Sequence, residues 1–394
     1  MARPSLALIP SAYKVGKVAS VLPESGKGDF TFTRGSEATR INASGLIETV
    51  GDDVPRIDHS DGGCPILLLE PQRTNFLLQS EDFTSEWSVS DATITPNSSE
   101  SPDGTINAST LTTLASGGTV QESLTVADGS VSFSLFVKKG STIGVRLRMD
   151  AATDVNGYFN LVDGTIHSQT NDAKIEYISN AWYKISISAS VTSFNKVSIY
   201  TTDGTTGYDN GTLFIYGAQL EVGSYATSYI PTNGTTVTRA TEVCDGAGDA
   251  STFNSAEGVL FAEISALAND GTNRAISISD GSTVNVMRFY YSTTDNRIVG
   301  NVKSGGTNVF NYNNVLSDAT DFIKLAISYK ANNYKMYVNG IEVSTDTSSA
   351  TPIGLTELAF DNGAGNDDFY GKVKQLQVFK TALTDTELQT LTTL

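Results

Sequence analysis

Residues 131–140 read VSFSLFVKKG, and residues 183–191 read YKISISASV. In the first stretch Phe133, Leu135 and Val137 alternate with Ser132, Ser134 and Phe136. In the second Ile185, Ile187, Ala189 and Val191 alternate with hydrophilic residues. A period of two sends one row of side chains to a core and the other to water, whereas a helix would repeat every 3.6 residues. The two stretches are strands, and they decide the fold class: all-β.

Working outward, glycine-bearing turns separate further short runs: TVADGS at 125–130, DVNGY at 154–158, LVDGT at 161–165 and TTDGTTGYDNG at 201–211. Nothing between them is long enough for a three-turn helix, so the strands pair antiparallel rather than through βαβ crossovers. The run TLFIYGAQLEV at 212–222 is apolar on both sides, with Leu213, Ile215 and Gly217 expected on one face and Phe214, Tyr216, Ala218 and Leu220 on the other. It reads as a central closing strand covered twice. The following stretch, SYATSYIPTNGTTVTRATEV, loses the alternation and reads as an extended connector to a boundary near residues 245–255.

A second set of strands begins at GVLFAEISALA, residues 258–268, and continues through RAISISD, VMRFYYS, RIVGNVKSG and FIKLAISYK. Asn339-Gly340 between two β-type runs specifies a two-residue hairpin, because both central residues of a type I′ turn need positive φ. Near the end, Thr384 and Glu387 have capping-box spacing, Leu383 precedes the cap, and Leu388 and Leu391 share one side of a short helix. The first 75 residues differ: short β-like runs, six prolines and five arginines, with too little alternation for a sheet of their own. The expected architecture is an N-terminal extended module (1–75), two antiparallel jelly-roll-like β-sandwiches (76–240 and 255–394) joined by a linker (241–254), and one short C-terminal helix.

The 43 acidic against 26 basic residues give a formal net charge of −17. That charge repels nucleic-acid phosphates and anionic membrane surfaces, so neither is an expected partner. No eighteen apolar residues follow one another, and the one apolar run near the N-terminus is short and broken by Pro10. Folding in a cytoplasm is expected, with Cys64 and Cys244 as free thiols.

The N-terminal stretch resembles a module at the start of tailed-phage virion proteins. The residues that carry the resemblance are Phe32, Arg34, Ser36, Ala38 to Asn42, Gly45 to Glu48, Pro55 to Asp58 and Leu67 to Asn75. The middle segment is similar to carbohydrate-binding-module jelly rolls through SEDF at Ser80 to Phe83 with Trp87, WYKI at Trp182 to Ile185, GAQLEVG and TSYIPT. The C-terminal segment resembles laminin-G-like, concanavalin-A-like sandwiches through YVNG at Tyr337 to Gly340 and FYGKVKQLQVF. These resemblances imply a non-enzymatic structural protein of the phage virion, a tail fibre, head fibre or decoration protein with host-surface adhesion. They also imply assembly in the host bacterial cytoplasm, contact with other virion proteins, and a homotrimer. The alternatives from other classes are a dedicated glycan-binding receptor-recognition protein and, more distantly, a glycan hydrolase.

Candidate chemistry follows from residue types. His59 and His167 are the only histidines and neither sits in a hydrolase motif. Sugars need aromatic platforms beside polar side chains, and Tyr208 and Tyr312 in polar stretches are the expected glycan contacts. Trp182, by contrast, is expected to pack beneath a strand start. Calcium is the one cofactor suggested. The glycine-rich loop AFDNGAGNDDFYG supplies Asp361, Asp367 and Asp368, and the carbohydrate-binding-module resemblance points to Glu81 or Asp82 with Glu221. A solvated acidic turn and surface acids beside a β-edge are the respective alternatives. Arg34, Arg40, Arg56 and Arg73 concentrate positive charge in an acidic chain. They are expected at an assembly interface with carboxylates of a neighbouring chain, or in salt bridges within a compact N-terminal module.

Overall fold

The computed structural model describes residues 2–62 and 64–394. Apart from one helix, its regular elements are antiparallel strands, and they form two compact units. Unit 1 comprises residues 1–35, 51–71 and 241–394, and unit 2 comprises residues 36–50 and 72–240. The first 75 residues are therefore not a third module: they are divided between the two units. The expected linker at 241–254 belongs to unit 1, with Cys244 in its core and Val243–Asp245 paired to Phe30–Thr33.

Unit 1 is a sandwich of an eight-stranded and a five-stranded sheet. Along the larger sheet run Ile341–Asp346, Tyr334–Val338, Ile323–Lys330, Glu257–Ala266 and Gly371–Phe379. The free edge of Gly371–Phe379 is then taken by two N-terminal pieces: Leu6–Leu8 against 376–378, and Ile66–Leu69 against 371–373, with Arg56–Asp58 outside the latter. Register makes the reason plain. Met336, Ile327, Leu260, Val378 and Leu6 stand in one cross-strand row, and Val338, Leu325, Ala262, Leu376 and Leu8 in the next. All ten side chains are buried in one core cluster. Without the N-terminal strands those rows would end on an exposed apolar edge. The expectation that 255–394 forms a sandwich by itself is thus corrected: the closing strands come from the start of the chain.

The other face of the eight-stranded sheet is covered by the helix Asp385–Thr392. Thr384 and Glu387 form the expected capping box, and Leu383 and Leu388 pack on Phe261, Ala326 and Tyr337, with Leu391 half-buried beside them. Asn339 (φ 48°) and Gly340 (φ 81°) make the expected tight hairpin turn.

Unit 2 packs two six-stranded sheets around Leu111, Phe133, Leu135, Val137, Leu147, Ile199, Leu213 and Ile215. The first sheet contains Thr119–Ser123, Lys196–Thr202, Gly144–Asp150 and Val155–Asn160; the second contains Ile106–Thr113, Gly211–Val222, Gly129–Lys139 and Trp182–Val191. Strand Gly211–Val222 is central and buried on both sides, but its alternation breaks at Gly217. Gly217 has φ +61° and leaves a register shift opposite Ser134 and Phe136, so Ala218 and Leu220 return to the inter-sheet core that holds Leu213 and Ile215. A Cβ there would lie 2.9 Å from Phe136 Cδ2. The expected assignment of Ala218 and Leu220 to the opposite face is corrected by this bulge.

The outer face of the second sheet carries an aromatic cluster of Phe136, Trp182, Tyr216 and Tyr229, closed by Ile47 from the hairpin Ala38–Ile41/Ile47–Val50. Tyr229 arrives on the stretch after Val222, which runs over this face and ends in Val237–Arg239 paired with Arg73–Asn75. The stretch expected to be a connector is an integral cover of unit 2.

Candidate functional site

The outer face of the first sheet of unit 2 is built by strict alternation. Val145, Leu147 and Met149 enter the core, which turns Arg146 and Arg148 outward; Ile199 and Phe159 enter it and turn Tyr200 and Tyr158 outward. Register sets Thr119, Tyr200, Arg146 and Tyr158 side by side across four strands. The 203–210 loop adds Tyr208. Asp203 Oδ1 accepts from Thr205 N at 2.9 Å and Thr205 Oγ1 at 2.5 Å, and Thr201 Oγ1 donates to Asp209 O at 2.5 Å, which fixes the loop over the sheet.

The Arg146 guanidinium is the centre of this face. Its Cζ lies 5.3 Å from the Tyr158 ring centroid, 5.0 Å from Tyr200 and 5.8 Å from Tyr208. Nε and Nη2 donate to Asn156 Oδ1 at 3.0 and 2.6 Å, and Nη1 donates to the Tyr208 hydroxyl. A guanidinium has five N–H donors, so one on each Nη remains. Arg146 is 8% exposed and Tyr208 41% exposed, which leaves a cation seated among aromatic faces with a solvent-facing tyrosine at its rim. Such a seat holds a carboxylate or a pair of hydroxyls by forked hydrogen bonds while a ring face packs on tyrosine. The loop position and exposure of Tyr208 are legible in the sequence; for Arg146, Tyr158 and Tyr200 the signal is the alternation in GVRLRMD and KVSIYTT.

Tyr312 lies elsewhere. It is in the strand Thr307–Val315, opposite Gly300, and packs partly buried against the core of unit 1. Its expected place in a loop is corrected: the strand continues through the asparagines around it.

The four arginines are bound within the chain. Arg34 Nη1 donates to Glu242 Oε1 at 2.9 Å and to Val54 O at 2.9 Å, and Nη2 donates to Gly51 O at 2.6 Å. Arg56 Nε donates to Glu242 Oε1 at 2.8 Å, Nη1 to Glu70 Oε2 at 2.7 Å, and Nη2 pairs with Glu242 Oε2. Both guanidiniums are fully buried in unit 1. In unit 2, Arg40 pairs with Glu48 across its hairpin at 2.6 Å, and Arg73 lies 3.9 Å from Glu221 and 5.2 Å from the Tyr225 ring centroid. The assembly-interface expectation is corrected in favour of its alternative, intrachain ion pairs. The motif acids Glu48 and Glu70 pair with Arg40 and Arg56, while Glu242 and Glu221, from outside the motif, serve Arg34, Arg56 and Arg73.

The calcium candidates also separate. Glu221 is buried and already accepts from Gln219 Nε2 at 2.6 Å, Thr227 N at 2.9 Å and the Thr227 hydroxyl. Glu81 instead accepts the hydroxyls of Tyr216 and Tyr229, at 3.0 and 2.9 Å. In the glycine-rich loop Asp361 accepts from Gly363 N at 2.5 Å, Asp367 from Asn362 Nδ2 at 3.0 Å, and Asp368 from the Tyr370 hydroxyl at 2.9 Å. Burial raises the Asp361 and Asp368 carboxyls, and neighbouring acids add to it. Among the described residues no three His, Cys, Asp or Glu side chains gather closely enough to hold a metal ion. The loop is an internally hydrogen-bonded acidic turn in which Asp361 and Asn362 are buried. Trp182 is buried as expected, its Nε1 donating to Glu100 O at 3.1 Å. Cys64 is an exposed free thiol and Cys244 a buried one.

Comparison with known proteins bears on the C-terminal part. Residues 260–389, about a third of the chain, match the concanavalin A-like lectin/glucanases superfamily (Laminin_G_3). No curated protein matches the sequence. Among solved structures, the CBM40 of the Ruminococcus gnavus IT-sialidase bound to alpha2,3 sialyllactose is 16% identical, covering 37% of this chain and 87% of that one at a TM-score of 0.32. Domain 4 of AbnA, a GH43 extracellular arabinanase from Geobacillus stearothermophilus in complex with arabinotriose, is 14% identical, covering 43% and 83% at 0.32. The Streptococcus pneumoniae NanB sialidase K499G mutant is 17% identical, covering 36% and 24% at 0.30. At that overlap none of the three bears on what this chain binds. Unit 1 thus contains a concanavalin A-like domain whose sheet is completed by strands from outside the matched segment.

Proposed function

We propose that the chain is a non-enzymatic glycan-binding protein displayed on a tailed-phage virion, where it joins other virion proteins as a homotrimer and adheres to the host surface. One observation carries the glycan reading: Arg146, ringed by Tyr158, Tyr200 and Tyr208, keeps two N–H donors for a ligand. The chemistry favours an acidic sugar, whose carboxylate takes the fork while its ring packs on Tyr208. What supports the virion placement is the motif over residues 32–75.

The test is calorimetric titration of the full chain with acidic and neutral oligosaccharides. A charge-assisted hydrogen-bonded contact is worth about 1.5–3 kcal/mol, so Arg146→Gln should weaken acidic-glycan binding by roughly 10- to 100-fold. Tyr208→Ala should weaken it less. Equal binding of acidic and neutral glycans, or an unaffected Arg146→Gln, rejects the reading. Antibody against residues 255–394 should decorate intact particles.

A further inference from the structure

A second recess in unit 2 has the opposite electrostatic character. It is a cleft of about 730 Å³ whose wall includes Glu81, Asp82, Asn107, Pro231, Thr232 and Val237, and no lysine or arginine lines it. That volume is within the usual range for ligand clefts, about 300–1,000 Å³.

The hydrogen bonding of the wall leaves acceptors without donors. Glu81 takes both tyrosine hydroxyls, Tyr216 at 3.0 Å and Tyr229 at 2.9 Å, on Oε1, which leaves its Oε2 with no donor among the described residues. Asp82 uses Oδ1 for Thr84 N and Oγ1, at 2.9 and 2.5 Å. Thr232 is 5% exposed, and among the described residues its hydroxyl has no hydrogen-bond partner; the side-chain oxygen of Asn107 has none either. A buried polar atom left unpaired costs free energy that a bound donor recovers.

We propose that this cleft binds a sugar carrying a free ammonium group, a hexosamine unit of a cationic oligosaccharide. The ammonium, with three donors and no acceptor, answers Glu81 and Asp82. Sugar hydroxyls donate to Thr232 and Asn107, and Pro231 and Val237 give the ring an apolar wall. The inference rests on residues distinct from those around Arg146 and stands or falls independently of that site.

The full chain is titrated with a glucosamine tetrasaccharide and with its fully N-acetylated counterpart, below the amine's pKa. The structure calls for saturable binding of the amine form and at least tenfold weaker binding of the acetylated form. Glu81→Gln keeps an acceptor for the two tyrosine hydroxyls, and Asp82→Asn keeps one for Thr84. Each should cost at least tenfold, and Thr232→Val severalfold, with unchanged melting. No binding of the amine form overturns the proposal. So does binding that survives Glu81→Gln combined with Asp82→Asn, which would mark it as general attraction to a chain of charge −17.

Discussion

Replacing Leu6 and Leu8 together by alanine tests whether the start of the chain closes the concanavalin A-like core. Both side chains are fully buried and each ends a five-residue row across the eight-stranded sheet. A buried Leu→Ala change costs about 2–5 kcal/mol, depending on how far the cavity collapses. These sites are held by the ladder to residues 376–378 on one side and by the Ala7–Leu22 bridge on the other, which limits collapse, so about 3 kcal/mol each and about 6 in total is expected. That is a large part of the roughly 5–15 kcal/mol that holds a domain folded. The assay is guanidinium unfolding followed by two probes. The only two tryptophans, Trp87 and Trp182, are both in unit 2, so their fluorescence reports that unit, while far-UV circular dichroism reports both. The dichroism transition should move to lower denaturant by an amount equal to about 6 kcal/mol. A shift under about 1 kcal/mol in both signals would falsify the claim that these leucines complete the core.

Two further outcomes follow from buried charge. Glu242→Gln removes the carboxylate shared by Arg34 and Arg56, and should destabilise unit 1 by about 3–5 kcal/mol in a calorimetric scan, since breaking a buried pair strands the remaining charge. A loss below about 1 kcal/mol would mean the guanidiniums are hydrated in solution. Burial, with Glu86 adding repulsion, raises the Glu122 carboxyl from its ordinary 4.5 to about 7. The native state therefore holds a proton that the unfolded chain releases: the stabilisation is full below about 4.5 and is lost as pH rises through about 7. Tryptophan-detected melts should show unit 2 losing about 3 kcal/mol across that window, and Glu122→Gln should flatten the slope.

The alternating runs, the Asn339-Gly340 hairpin and the Thr384 cap were legible because each is a local pattern with a local cause. The pairing of LAL at 6–8 and ILLL at 66–69 with residues 371–378 was not. A short, wholly apolar run says that it is buried and nothing about against what. The arginines misled for a related reason. In sequence Arg56 stands far from Glu242, and only the closed sheet makes them one ion network, so a concentration of charge read as surface proved to be interior. The exposure of Tyr208 was legible because a polar glycine-rich loop has one aromatic to present, whereas the seat of Arg146 among tyrosines needed the register of four strands.

The union of the chain's beginning with its end has a consequence for synthesis. Unit 2 has all its residues once position 240 has left the ribosome, but the strand Ile66–Leu69 waits for residues 371–373 and Leu6–Leu8 for residues 376–378. At translation rates of about 5–20 residues per second, that wait is roughly 15–60 s. During it ILLL has only Arg56–Asp58 to pair with and keeps one open, wholly apolar edge on a nascent chain, while the intervening unit is already free to fold. Holding that segment until the last strand emerges is a task for a chaperone, and slowing translation beyond residue 240 should lower the yield of unit 1 while sparing unit 2.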